Sequence, residues 1–317
     1  MTRSGRKNGY YYTKSKSKMN NIAIIGSDSF IATQFFYSIV HKGNIKLFSI
    51  RSSGKRNEQV KKHLFEVSYE DLRGADVVIN FAAIVHRPKL NDEALYKKIN
   101  TDLAIYLAQE AQKAGVRQFI QMSTIAVYGD VSSININTRE KPENIYGTSK
   151  LAADKALMTL QNQKFKISII RPPMVYGGGK APGNMLRLIQ LANKRIPLPF
   201  KGVNNKRDFI NVHNLIQYLY LIAEKNLNGI YLISDNEPVS TEYLLKIIYK
   251  YLNKKGFLIK LPNPILKILQ TIRPKEYDKL FGTMMITTNF PYENLIRRYT
   301  VEDGIAEMVN WYKKTLK

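Results

Sequence analysis

Short runs of apolar, β-branched residues alternate along the first half of the chain with longer segments whose apolar residues recur every three or four positions. The first pattern predicts buried strands, and the second predicts helices that pack by one face. Parallel strands need such helical crossovers, so the alternation predicts an α/β fold with a doubly wound parallel sheet of the Rossmann type. The predicted strands are 21–26, 45–50, 77–83, 118–123 and 166–170, and the predicted helices are 30–40, 92–114 and 145–160.

The pattern changes after Pro172 and Pro173, where Gly- and Pro-rich loops separate shorter helices and occasional strands. We therefore divide the chain into a tail at 1–19, a Rossmann-type domain at 20–172 and a smaller, partly interleaved C-terminal lobe at 173–317. The lobe is expected to close over the carboxyl ends of the strands, where open α/β sheets bind ligands. The first eighteen residues carry six Lys/Arg and no acid, which predicts a flexible basic tail.

The charge balance is strongly basic, with Lys+Arg 49 against Asp+Glu 25 and a net charge of +24. Such an excess attracts anions, but the basic residues are dispersed and no RNA-binding or zinc motif accompanies them, so no nucleic-acid partner is expected. Cysteine is absent and the four histidines are scattered, so no metal site is expected either. No apolar run reaches the length of a membrane span and no secretory signal is visible, which predicts a cytoplasmic protein without an integral membrane segment.

Residues 261–272 combine apolar residues at helical spacing with basic neighbours. Two interpretations stay open for this helix. It could rest on a membrane surface, as basic amphipathic helices do. It could instead pack its apolar face onto its own domain, which is the usual role of such a helix.

The first candidate site is the turn between the first strand and the first helix. A pyrophosphate binds at such a turn because backbone N–H groups point outward from the helix start and small residues allow close approach. Gly26, Ser29 and Ala32 stand where a G-x-x-G-x-x-G loop has its three glycines, with Phe30 and Ile31 between them. The alternative is a tight turn without a ligand.

The end of the second strand usually decides which dinucleotide binds. An acidic side chain there accepts from the ribose hydroxyls of NAD, whereas basic and hydroxyl groups suit the 2′-phosphate of NADP. Here Arg51 and Ser52 follow the strand and no carboxylate does. The sequence thus favours NADP(H), with NAD(H) possible, unless Arg51 is only a solvated loop residue.

The strongest local motif is Tyr146-Gly-Thr-Ser-Lys150 at the start of a predicted helix. The i,i+4 spacing places the phenol and the ammonium on one face, where the cation can lower the tyrosine pKa. A tyrosine tuned in this way exchanges a proton with the oxygen of a carbinol or ketone. The strand ending at Ser123-Thr124 would bring a hydroxyl to the same crevice.

The chain resembles the extended short-chain dehydrogenase/reductases that act on nucleotide sugars. The resemblance covers nearly all of the chain after the tail, and its motifs occur in the family's order and spacing. These motifs are IIGSDSFIA, DVVINFAAIVH at 76–86, IN-T at 99–101, STIAVYGD at 123–130, IYGTSK at 145–150, RPPMVYGGG at 171–179 and RDFINV at 207–212.

The resemblance implies a role for each matching position. Tyr146 would be the acid/base, Lys150 its tuner and a nicotinamide-ribose ligand, and Thr124 the hydroxyl beside the sugar oxygen. Two further residues, Asn184 and Arg207, would hold the substrate diphosphate. The remaining implied positions would line the cofactor: Gly26, Ser29, Phe30, Ile31, Arg51, Ser52, Phe81, Ala82, Ala83, Asn100 and Pro172. Taken alone, Arg207 would more simply be a structural partner of Asp208 or a neighbour.

Some residues depart from the family's pattern. Ser29 and Ala32 replace glycines, and Ile125-Ala126 follow Thr124 where dehydratases have Asp-Glu, so dehydration is disfavoured. We therefore expect a UDP-sugar enzyme of bacterial surface-polysaccharide synthesis, specifically an NADP(H)-dependent reductase of a UDP-4-keto-6-deoxy-N-acetylhexosamine. The alternatives are an NAD-dependent UDP-sugar 4-epimerase and a non-catalytic NAD(P)-binding protein. By the same resemblance, a homodimer is expected to form through helices 92–114 and 145–160.

Overall fold

The computed structural model describes residues 21–41, 43–52, 54–55, 58–85 and 92–316; the predicted basic tail lies outside them. The strands are β1 (Asn21–Ile25), β2 (Asn44–Ser49), β3 (Glu58–Val60), β4 (Val77–Asn80), β5 (Gln118–Met122), β6 (Ser133–Ile134), β7 (Lys166–Arg171), β8 (Val175–Tyr176), β9 (Ile210–Asn211), β10 (Gly229–Leu232) and β11 (Met285–Ile286). Seven of them form one sheet in the order β10-β7-β5-β4-β1-β2-β3, and every neighbouring pair is parallel. The predicted Rossmann-type sheet is thereby confirmed.

The helices follow the strands as crossovers and as the body of the lobe. They are α1 (Phe30–Ile39), α2 (Tyr69–Leu72), α3 (Glu93–Tyr96), α4 (Leu103–Lys113), α5 (Ile145–Thr159), α6 (Asn184–Asn193), α7 (Val212–Glu224), α8 (Thr241–Leu252), α9 (Asn263–Ile272), α10 (Pro274–Phe281) and α11 (Val301–Thr315). A wide π-helical turn, Lys97–Asp102, joins α3 to α4, so the helix predicted over 92–114 is continuous but not regular.

The core lies in two layers against the sheet and a third in the lobe. One face of the sheet packs against α1 and α7, and the other packs against α2, α4 and α5. The third apolar cluster joins α6, α8 and α11. Because β10 and α7 come after residue 173 yet belong to the sheet and its cover, the chain crosses between the two parts more than once. In open α/β sheets of this kind, ligands bind at the carboxyl ends of the strands, which here are the ends of β1, β4 and β5.

Candidate active site

The turn between β1 and α1 has the geometry of an anion-binding site. Ser29, at the position of the second glycine, is the N-cap of α1, and its side chain accepts from the Ala32 N–H at 3.4 Å. The N–H groups of Phe30 and Ile31 lie in the first turn, where a helix cannot satisfy its own donors. A negatively charged group at this end of α1 would be favoured by those donors and by the helix dipole.

Gly26 cannot be replaced without moving the backbone. It has a φ of +73°, and a methyl group on its Cα would lie 2.8 Å from the Ala82 nitrogen. The turn thus packs directly on the segment after β4, where Phe81 is buried and Ala82 and Ala83 are half-buried. These small residues bring two backbone segments together at the place where a pyrophosphate would lie.

A carboxylate stands beside this turn after all, although none follows β2 in the sequence. Glu58, the first residue of the edge strand β3, accepts from Ser27 Oγ at 2.8 Å, and its Oε1 lies 3.0 Å from Ser49 Oγ at the end of β2. Arg51 and Ser52, the predicted ligands of a 2′-phosphate, lie on the loop after β2 and are exposed. Sequence analysis found no acid directly after β2 and did not foresee this one, because Glu58 comes from the neighbouring strand.

Asn100 lies in the π-helical turn and holds the site together. Its amide oxygen accepts from the Ile84 N–H at 2.8 Å, and its amide nitrogen donates to the Ile84 carbonyl and to Ser149 Oγ, both at 3.0 Å. π-Helical turns often occur at functional sites because they aim a side chain that a regular helix would turn away. Here the turn ties the segment after β4 to helix α5, so Asn100 positions both.

Thr124, Tyr146 and Lys150 lie together at the carboxyl end of β5. The side chain of Thr124 hydrogen-bonds with the Tyr146 hydroxyl. Asn144 caps α5, which places Tyr146 in the first turn and Lys150 one turn later. The Lys150 ammonium is buried and donates to the Met122 carbonyl at 2.5 Å. The three residues that the sequence motif singled out are thus collected at one point.

The protonation of this group differs from the expectation. Burial raises the pKa of Tyr146 to about 12, with the Thr124 hydrogen bond opposing the rise. Burial lowers the pKa of Lys150 to about 8, against the attraction of Asp154. The expected lowering of the tyrosine pKa by Lys150 is absent in this state, because the ammonium is directed at a carbonyl. Tyr146 is therefore a phenol at neutral pH, ready to donate a proton.

A buried ion cluster lies beneath the group. Asp154, one turn after Lys150, accepts from Ser123 Oγ at 2.8 Å and from Arg171 Nε at 3.0 Å. Arg171 also donates to the Tyr128 hydroxyl at 2.8 Å and to Glu140 at 2.6 Å. Sequence analysis missed these residues, although the i,i+4 spacing from the lysine was a usable signal. The cluster fixes α5 to β5 and β7.

Two further predicted residues flank the crevice. Pro172 is buried directly after β7, and its carbonyl accepts from the Ile125 N–H at 3.2 Å, beside the catalytic segment. Asn184 begins α6 after Gly183, and its side chain is exposed on the lobe. Pro172 therefore lies next to the segment that carries Thr124, whereas Asn184 lies at the start of α6 in the lobe.

Arg207 lies where the lobe meets the end of α10. Its guanidinium donates to the Asp278 carbonyl at 2.9 Å and to the Gly282 carbonyl at 3.1 Å. Asp208, its neighbour, instead accepts from the Ile286 N–H at 2.8 Å. Arg207 thus has a structural role, but its partners are the last carbonyls of α10 rather than Asp208.

The residues at the carboxyl ends of the strands fit a dinucleotide. Donors at the start of α1 and the close approach of Gly26 to Ala82 suit its pyrophosphate, and the carboxylate of Glu58 suits a ribose diol. The phenol of Tyr146, with Lys150 behind it, is placed to move a proton at the opposite end. Fold and site together define a nucleotide-dependent enzyme of proton and hydride transfer.

Comparison with known proteins identifies the family to which the chain belongs. Residues 24–234 match the model described as the NAD dependent epimerase/dehydratase family, and the chain belongs to that family. The resemblance found in the sequence is thus confirmed.

Relatives and solved structures agree with the match over nearly the whole length. A UDP-glucose 4-epimerase of Vibrio cholerae is 29% identical over 307 residues, which cover 89% of this chain and 92% of that protein. An N-acetyl-alpha-D-glucosaminyl-diphospho-ditrans,octacis-undecaprenol 4-epimerase of Escherichia coli O157:H7 is 26% identical over 317 residues, or 92% and 95%. The crystal structure of a UDP-glucuronic acid 4-epimerase from Bacillus cereus in complex with NAD has the same fold, with a TM-score of 0.75, 20% identity and coverage of 94% and 100%.

Proposed function

We propose that this chain is a UDP-sugar 4-epimerase that works with NAD. The observation that carries the proposal is the carboxylate of Glu58, held by Ser27 and Ser49 between the β1–α1 turn and the end of β2. In doubly wound sheets the adenosine ribose lies in this region, and a carboxylate there accepts from its hydroxyls and repels a 2′-phosphate. An epimerase returns its hydride to the sugar and needs no net reductant, which suits a retained NAD.

The proton chemistry falls to the chain's own residues. The bound dinucleotide would supply a hydride acceptor and donor. In its phenolate form, Tyr146 would take the proton of the C4 hydroxyl, and as the resulting phenol it would return that proton when the sugar is reduced on its other face. Thr124 would hold the same oxygen by a hydrogen bond, and the charge of Lys150 would stabilise the phenolate once its ammonium leaves the Met122 carbonyl.

The diphosphate end of the substrate would lie on the lobe. Asn184 begins a helix, and Arg207 offers a planar cation suited to phosphate oxygens. A UDP sugar is proposed because the Vibrio cholerae relative is a UDP-glucose 4-epimerase of similar length. The same proton chemistry would serve a sugar diphosphate carried on a polyprenol, which is the substrate that the name of the Escherichia coli relative implies.

An NADP(H)-dependent 4-ketoreductase is the second candidate. It is favoured by Arg51, Ser52 and Lys55, which supply two cations and a hydroxyl close to the ribose region. The Lys55 ammonium donates to the Ser27 carbonyl at 2.8 Å, and burial lowers its pKa. Such a group would pair well with a 2′-phosphate.

The released nucleotide separates the two candidates. The purified protein is denatured, the nucleotide is identified by mass spectrometry, and the native protein is incubated with UDP-glucose or UDP-N-acetylglucosamine without added reductant. NAD in near-stoichiometric amount, with the C4 epimer appearing by proton NMR, is the expected result. NADP, or turnover only of a 4-keto sugar with NADPH, would replace the epimerase by the reductase.

Replacing Glu58 by glutamine should change the choice of nucleotide. The loss of a charged acceptor typically weakens such a hydrogen bond by about 1.5–3 kcal/mol, so the ratio of NAD to NADP affinity should fall by about tenfold or more. Calorimetric titration of the nucleotide-free protein with each dinucleotide measures the ratio. The exposed Glu70 provides the control, and Glu70→Gln should leave the ratio unchanged. If Glu58→Gln left the ratio unchanged, Glu58 would have only a structural role in the turn and none in the choice of nucleotide.

A further inference from the structure

Helix α9 is an amphipathic helix whose leucines, Leu266 and Leu269, are half-buried, whereas an outer stripe of isoleucines is exposed. None of its ten residues is buried. Ile265, Ile268 and Ile272, at positions i, i+3 and i+7, form one stripe and are 49%, 58% and 70% exposed. A short helix is marginal in water by itself, so such a stripe indicates a surface that covers it.

The helix is held in place by its neighbour in the chain. It packs against α10, which is anchored to the lobe by a contact of 5.4 Å between the ring centroids of Phe281 and Phe200. Arg207 also fixes the last carbonyls of α10. The α9–α10 hairpin is therefore attached to the lobe through α10, and the three isoleucines of α9 remain exposed to solvent.

The charge around α9 selects the kind of partner. Residues 254–273 contain five Lys/Arg and no Asp or Glu. Four of these cations are exposed, namely Lys255, Lys260, Lys267 and Arg273. An apolar stripe close to several exposed cations complements a surface of anionic headgroups over hydrocarbon. A second copy of this chain, which carries a net charge of +24, would be repelled by the same cations.

We propose that α9 docks on an anionic phospholipid bilayer, with Ile265, Ile268 and Ile272 entering the boundary between headgroups and acyl chains. Ten residues make a helix of about 15 Å, which suits a helix lying in the surface plane. Of the helices that the structure describes, none is long and apolar enough to cross a membrane. The contact is therefore peripheral, and added salt weakens it by screening the headgroup attraction.

Docking in this way would also place the candidate active site at the membrane. Arg207 connects the end of α10 with the lobe side that would hold a sugar diphosphate, a step that rests on the proposed function. A substrate or acceptor anchored in the bilayer would then reach the site without leaving the surface. The proposed lipid binding is argued from α9 alone, so it can be tested independently of the proposed reaction.

Flotation with vesicles tests the proposal on the full chain. Wild-type protein should float with vesicles of phosphatidylglycerol and phosphatidylcholine, and much less with phosphatidylcholine alone. The double variant I268E/I272E should lower the partition coefficient by more than about tenfold, since it removes two apolar anchors and adds two like-charged groups. Turnover of a soluble UDP sugar by the same variant should stay at the wild-type level, which separates lipid binding from catalysis.

A matched control distinguishes docking from general attraction to a basic protein. The double variant Y37E/I136E adds the same two charges at exposed apolar positions outside the hairpin and should float like wild type. Equal losses in both variants would reduce the effect to net charge and overturn the proposal. The proposal would also be overturned if the wild-type protein stayed at the bottom of the gradient. A change from dimer to monomer in I268E/I272E, measured by sedimentation equilibrium, would overturn it as well, because the stripe would then contact a second copy of the chain.

Discussion

Replacing Tyr146 by phenylalanine is expected to lower kcat for the UDP-sugar reaction by about a thousandfold, within the range of general acid–base groups. The substitution removes the only atom of the side chain that can carry the proton, and it keeps the ring that packs in the first turn of α5. Binding of the dinucleotide and the thermal midpoint should change little. Product formation by NMR and calorimetric titration measure the two effects separately.

The pH profile adds an independent check on the same group. The pKa of Tyr146 is about 12 and that of Lys150 is about 8. The fraction of protein that holds a phenolate at Tyr146 and an ammonium at Lys150 therefore increases with pH and levels off above about pH 8. Wild-type kcat/KM should follow that curve, and the residual activity of Tyr146→Phe should lack it. Tyr243→Phe, an exposed site, serves as control. Activity of Tyr146→Phe within tenfold of wild type would remove Tyr146 from the mechanism.

Replacing Arg171 by methionine should lower the free energy of unfolding by about 3–5 kcal/mol, since it leaves a buried carboxylate without its cation. Arg171 and Asp154 are 2% and 1% exposed and share a bond of 3.0 Å. Burial already raises the pKa of Asp154, and Arg171 opposes that rise. Chemical denaturation at saturating NAD, followed by circular dichroism, measures the change.

A surface pair provides the comparison. Lys97 and Asp102 form an ion pair of 2.8 Å in which the lysine is 68% exposed, so Lys97→Met should cost less than about 1 kcal/mol. Adding Asp154→Asn to Arg171→Met should recover part of the lost stability, because the unpaired charge is removed. If Arg171→Met cost no more than the surface variant, the cluster would contribute nothing to holding α5 on the sheet.

The parts that sequence reasoning predicted well were those with strong local patterns. The strands at the centre of the sheet are buried on both faces and mostly apolar, so their runs were readable. The Tyr146 to Lys150 spacing needs only a helix to bring both groups to one face. The turn after β1 was readable for the same reason, since Gly26 marks the position where the backbone needs a positive φ.

The parts that were missed depend on tertiary placement. Glu58 begins a three-residue edge strand, too short to give an alternating pattern, and only the pairing of β3 with β2 brings its carboxylate to Ser27. The pKa of Tyr146 was misjudged because spacing shows that Lys150 is near, and not that its ammonium points at a carbonyl. The partners of Arg207 lie more than seventy residues along the chain, beyond any local pattern.

The geometry of the candidate active site depends on the number of residues in the wide turn Lys97–Asp102. Shortening the turn by one residue would restore a regular helix and rotate all that precedes it by about 100° relative to α4. Asn100 would then lose either Ile84 or Ser149, and the segment after β4 would come loose from α5. Substitutions on the outer surface of this helix are compatible with the site, whereas a deletion of one residue anywhere in the turn is not.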